Sequence, residues 1–296
     1  MIGDFMARYS STNSSGNLFA VLVALLAIGL FTAIVMWPSG NSTKVVSNGL
    51  PDTLLTQTLN DPETHEYLST LHRVKPDVAN RLNELADGAI ADGASHEELA
   101  ALILETYSTG VEEDVKHLIS ADVQHFEKIL QMSQRGLSTL SSKAPKYCRP
   151  ASYVRFADME PEEIANEMSS FFGYGTEGYD WVLRFNVVTL EAIESGRNNP
   201  QKYGRLTSSD QMALQNTMMK MMTNPQVARL MQLQGRSEAE QKRAAMTMNF
   251  CGLGSDVLTA INNLPTETKS RLLGELQHQA KSGDFGRLIS TVQSGI

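Results

Sequence analysis

Residues 18–37, LFAVLVALLAIGLFTAIVMW, are twenty in a row without a charge. A helix over them rises about 1.5 Å per residue and reaches about 30 Å, the depth of a bilayer's hydrocarbon core. Twelve of the twenty are Leu, Ile, Val or Phe. At roughly −0.3 to −0.6 kcal/mol each, they favour insertion by about 4 to 7 kcal/mol. Trp37 stands where an interfacial aromatic belongs, and Pro38 ends the helix. A cleaved signal peptide has a basic start, an apolar run of roughly 7 to 15 residues and a small-x-small cleavage site. Here the run is longer, Arg8 is balanced by Asp4, and AIVMWPSG offers no such site. A core helix of this length would keep a polar face. The segment is therefore expected to stay in the bilayer as a single transmembrane helix.

Residues 1–17 then read as a cytoplasmic tail. Arg8 and the amino terminus outweigh Lys44 on the other flank by one charge, and long domains translocate largely regardless of charge. This predicts a periplasmic or otherwise extracytoplasmic C-terminal domain. The chain has two cysteines, Cys148 in KYCRP and Cys251 in NFCGL, a count that suits one disulfide in an exported domain. Two buried thiols in a cytosolic domain are the alternative.

Residues 38–50, PSGNSTKVVSNGL, are small and polar and read as a flexible linker. Beyond them, residues 51–147 carry 16 acidic and 8 basic side chains, net −8, and residues 148–296 carry 16 and 15, net −1. They are expected to form an acidic helical region and a second helical region packed with the first. The prolines of 141–158 mark the best interior break. No basic footprint for nucleic acid exists in either half.

Helical signals recur along the rest, and the fold class is read as all-α. Asp61 and Pro62 start a helix. Val78, Leu82, Leu85 and Ala89 share a helical stripe that ends near Gly93. Ser95 and Glu98 form a capping-box pattern. A long helix is predicted from Val111 to about Ser141, with later ones over 161–172, 177–195, 209–222, 225–234, 237–250, 255–263, 266–281 and 285–293. YVRFA at 153–157 is the one strand-like alternation.

Candidate chemistry is sparse. TMMKMMTNP gathers methionines: Met212, Met219 and Met222 fall on one helical stripe, and Leu214, Met218 and Met221 on the next. Apolar on both stripes, this helix reads first as buried core, then as a partner contact through Met218, Met219 and Met222, and last as a soft-metal site. HEELA at 96 has Ala100 where a zincin needs its second His, and His117 and His125 sit about 80° apart round one helix, so no metal site is assigned. CGLGSD at 251–256 lacks the third glycine and the preceding strand of a phosphate loop. It reads as a helix end followed by a new cap at Ser255. No cofactor is implied.

LEAIESGRNNP, residues 190–200, resembles the start of the active-site region of lytic transglycosylases, where a helix ends at a Glu-Ser pair and an Asn-Pro follows. The resemblance implies Glu194 as a general acid and Ser195 as an adjoining substrate contact, acting on peptidoglycan. A Gly-Leu-Met-Gln run, the family's next element, does not follow at the expected distance. The local alternative is a helix C-cap at Ser195-Gly196. Two functions thus stand open: a membrane-anchored binding or structural component of an envelope assembly with an unknown protein partner, and a glycan-cleaving envelope enzyme.

Overall fold

A computed structural model describes residues 53–107, 111–151, 163, 169–232 and 236–282. These residues are helical with short connections, and no strand occurs among them. No helix among the described residues is long and apolar enough to cross a membrane. The tail at 1–17, the apolar segment at 18–37, the linker at 38–50, the YVRFA stretch and the helix expected at 285–293 lie outside the described residues.

The chain forms two compact units, each built from separated stretches. Among the described residues, one unit holds 53–129, 163 and 169–201, and the other holds 130–151, 202–232 and 236–282. The division runs across the sequence halves drawn at 147/148.

The first unit contains α1 (Leu54–Thr58), α2 (Pro62–Val74), α3 (Pro76–Ala91), α4 (His96–Tyr107), α5 (Val111–Leu118) and α7 (Glu177–Asn198). Its local punctuation follows the expected signals. The Asp61 carboxylate accepts from the Thr64 N–H at 2.7 Å, with Pro62 in the first turn. Gly93, at φ 87°, terminates α3, and the Ala94 N–H donates back to the Ala89 carbonyl at 2.9 Å, the six-to-one bond of a Schellman turn. Ser95 and Glu98 exchange the two bonds of a capping box, at 2.7 and 3.2 Å.

Packing in this unit centres on Tyr67, Leu71, Leu82, Leu99, Ile103, Tyr179, Leu183 and Leu190, all buried. The Tyr179 hydroxyl meets the Thr64 hydroxyl at 3.0 Å in the interior, so the polar tip of a fully buried ring is satisfied. On α3 the buried stripe is Ala79, Leu82 and Ala86, and Leu85 stands 52% exposed. The expected stripe through Leu85 is rotated because the small alanines, not the next leucine, face the core.

Two expected boundaries fail for tertiary reasons. The long helix from Val111 to Ser141 is broken: α5 ends at Leu118, and α6 (Val123–Lys143) begins after a short turn. The Ser120 N–H takes the His117 carbonyl at 3.0 Å, and the Asp122 side chain caps the Gln124 N–H at 2.9 Å. A continuing helix would have given the His117 carbonyl to Ala121. The spacing argument for His117 and His125 on one helix lapses with it. The second failure is α11 (Phe250–Asn262), which runs straight through Gly252 and Gly254 with Asn249 as its N-cap. Ser255 is not a cap there. It is buried, and its hydroxyl lies 3.3 Å from both the Gln134 carbonyl and the Gln134 side-chain amide of α6.

The second unit carries the C-terminal part of α6, a 3-10 turn (Pro145–Cys148), α8 (Ser208–Met221), α9 (Pro225–Gln232), α10 (Glu238–Ala245), α11 and α12 (Thr266–Ser282). Cys148 and Cys251 are bonded, with their Cα atoms 5.2 Å apart and both residues buried. The expected disulfide is present, and it ties the 3-10 turn to the first turn of α11. Asn249 adds a bond from its side-chain amide to the Ser141 hydroxyl at 2.7 Å.

A carboxylate holds α8 to α12. Asp210, 3% exposed, accepts from the Thr207 backbone N–H at 2.8 Å, from the Thr268 hydroxyl at 2.8 Å and from Arg271 at 3.0 Å. Burial alone would raise its pKa, but the bonds from Thr207, Thr268 and Arg271 outweigh it and hold the group at about 2. Folding lowers this pKa from 3.8, so the stabilisation is complete above that value and is lost as pH falls towards about 2. A drop of this size corresponds to about 2 kcal/mol. Asp210→Asn is expected to lose stability of that order at neutral pH and to flatten the acid limb of a stability-against-pH curve. An unchanged acid limb in urea titrations at pH 2 to 5 would show that Asp210 is not the group responsible.

Candidate functional site

The stretch that resembles a transglycosylase motif lies in the last turns of α7. Its residues are engaged one by one. Arg73 of α2 donates from its guanidinium to the Glu194 carboxylate. The Ser195 hydroxyl accepts from the Asp122 N–H at 3.4 Å, in the turn between α5 and α6. Arg197 donates to the Val74 carbonyl at 2.8 Å and lies 3.8 Å from Asp114, which also pairs with Lys75. The helix does not end at Ser195-Gly196, as the local reading had it; it continues to Asn198, where Asn199 caps it.

Gly196 is buried between these contacts. A Cβ there would lie 1.9 Å from the His117 carbonyl oxygen and 2.9 Å from the Ala121 nitrogen. The absence of a side chain lets α7 press on the end of α5, and this approach coincides with the break in the predicted long helix. Read from the residues upward, Glu-Ser-Gly-Arg is a joint: an ion pair, a hydroxyl acceptor, a close approach and a second ion pair, all within one turn of α7.

The methionine helix turns out differently from its first reading. Leu214 is 3% exposed and enters the core of the second unit. Met212, Met219 and Met222, by contrast, are 59%, 53% and 46% exposed. Met218 and Met221, on the adjoining stripe, are partly buried. The core reading of Met212, Met219 and Met222 is thereby corrected. The helix is held by Leu214 on one side and by the Asp210 cluster at its start, while the outward stripe stands about half exposed. Of the three candidate contacts, Met219 and Met222 share the outward face, and Met218 lies at its edge.

A third grouping escaped the sequence. Asp61, Glu63 and Asp180 bring carboxylate oxygens within 4.8 Å of one another. Asp61 and Glu63 sit at the start of α2, and Asp180 lies in the first turn of α7. The positive ends of two helices attract carboxylates to one place. Burial, then the neighbouring Glu63 carboxylate, pushes the Asp180 carboxyl above its ordinary range, with Arg184 at 3.8 Å opposing. Burial and then Asp61 push the Tyr174 phenol up in the same neighbourhood. An all-oxygen trio of this kind suits a hard cation. Its geometry is equally that of capping groups, since Asp61 already spends one oxygen on the Thr64 N–H. Each acid is legible as a helix-start residue, but their convergence is tertiary: Thr64 of α2 and Tyr179 of α7, which bond beside them, are 115 residues apart in the chain.

No family model matches the chain, and neither the curated proteins nor the solved structures hold a significant match to it.

Proposed function

We propose that this protein is a single-pass, N-terminally anchored component of an envelope assembly that works by binding a protein partner. The reading is carried by the outward methionine stripe of α8, a set of large apolar side chains that the core does not use. Flexible thioether side chains adapt to varied apolar surfaces, which is why such stripes serve at contact faces. The Cys148–Cys251 bond supports an oxidising compartment for the helical mass, and the charge-free run at 18–37 supports the anchor.

Two measurements test the reading. Alkaline carbonate extraction of membranes should leave the full chain in the pellet, and removal of residues 18–37 should release it; a full chain recovered in the supernatant refutes the anchor. Met218→Ala, Met219→Ala and Met222→Ala combined should weaken site-specific photocrosslinking from α8 while changing stability by no more than about 0.5 kcal/mol per exposed position. Global unfolding of the triple variant would return these side chains to the core.

A further inference from the structure

We propose that Met212, Met219 and Met222 form a reversible two-electron oxidation site that converts without disturbing the fold. The three thioethers lie along one stripe of α8 and are 46–59% exposed, whereas Met248 beside α11 is 2% exposed. Thioether oxidation needs contact between sulfur and oxidant, so exposure separates these residues. The reaction with a peroxide balances within itself. The sulfur lone pair takes one peroxide oxygen, the O–O bond breaks, sulfur gives up two electrons, and the other oxygen leaves as water with both protons. A flexible apolar side chain becomes a polar, chiral sulfoxide.

In a core such a change disrupts packing. On this stripe it does not, because α8 is held from its other side by Leu214 and at its start by Asp210 with Thr268 and Arg271. The stripe can therefore pass from apolar to polar and back, while the helix that presents it stays in place. Its exposed neighbours on α8, Gln211, Gln215, Asn216 and Lys220, are polar. The consequence for a docked apolar partner rests on the binding function proposed above; the sulfur chemistry does not.

The test uses the full chain and dilute hydrogen peroxide, with sulfoxide formation followed at each methionine by peptide mass spectrometry. Met212, Met219 and Met222 should oxidise at least about tenfold faster than Met248 in the folded protein. That ratio should collapse in concentrated urea, which removes the difference in exposure. Circular dichroism and the thermal midpoint should be unchanged once the three have reacted. The two epimer-specific sulfoxide reductases, supplied with a dithiol, should restore the thioethers: the dithiol gives two electrons and two protons and becomes a disulfide, and the sulfoxide oxygen leaves as water. Equal rates at Met248 in the folded state, or a lowered midpoint on oxidation of the three alone, overturns the proposal. Neither result bears on membrane anchoring, so failure here and failure of the binding function are read separately.

Discussion

Replacing Cys148 and Cys251 together by serine is expected to lower the unfolding free energy by about 4 to 5 kcal/mol, the largest single effect in the molecule. The bond closes a loop with a sequence separation of 103 residues. In the chain-entropy account, a loop of about 100 residues stabilises by about 4.7 kcal/mol because the unfolded chain loses that much freedom. Both cysteines are buried, and the turn they anchor is a single turn of 3-10 helix that begins at a proline. Serine in their place also leaves hydroxyls in an apolar setting, which adds to the loss. Denaturant titration with and without a reductant measures the effect on one sample. Coincident midpoints would mean that the bond does not constrain the unfolded chain.

Gly196→Ala comes second, with an expected loss of about 3 kcal/mol. Ordinarily alanine is the better helix residue by about 1 kcal/mol, so propensity and sterics oppose each other here. Sterics win because the added carbon meets backbone, which cannot swing aside as a side-chain tip can. A matched control exists in α3, where Gly88 is exposed and a Cβ would meet nothing within 4 Å. Gly88→Ala should therefore stabilise by about 0.5 to 1 kcal/mol. Opposite signs for two identical substitutions, read as shifts of the urea midpoint, test whether α7 presses on α5 as described. Stabilisation by both would refute that contact.

The contrast between these glycines also shows what a sequence displays and what it withholds. Gly93 was legible as a helix stop, because a left-handed residue after a helix needs no distant partner. Asp61, Ser95 and Glu98 were legible for the same reason: a cap and its acceptor lie three residues apart. Gly196 was not, since its cause is a carbonyl on another helix, about 80 residues away. The break at 119–122 failed alongside it, because the Ser195 hydroxyl and Gly196 that meet it lie some 73 residues further on. Gly252 and Gly254 were misread as a helix end, although Asn249 was already placed to cap a helix running through them.

The candidate sites divide along the same line. Pairing of the two cysteines was predictable because two residues allow one intramolecular bond. The methionine stripes were correctly sorted by helical spacing, but spacing fixes which residues share a face and not which face turns inward. Burial of Leu214 and the Asp210 anchor decided that. For the Glu194-Ser195 pair the likeness covers only a short stretch, and what it could not display is tertiary: Arg73 bonds the Glu194 carboxylate, and the Asp122 N–H bonds the Ser195 hydroxyl.

The interrupted course of the chain has a consequence for how it is made. Thr64 and Tyr179, bonded in one interior, are separated by 115 residues. At a synthesis rate of about 5 to 20 residues per second, α2 emerges roughly 6 to 23 s before the helix that covers it. Through that interval Tyr67, Leu68 and Leu71 have no α7 to lie against. A nascent chain with such a delay gives holding chaperones a long window in which to engage it, and truncation anywhere between α2 and α7 strands the earlier helices without their lid.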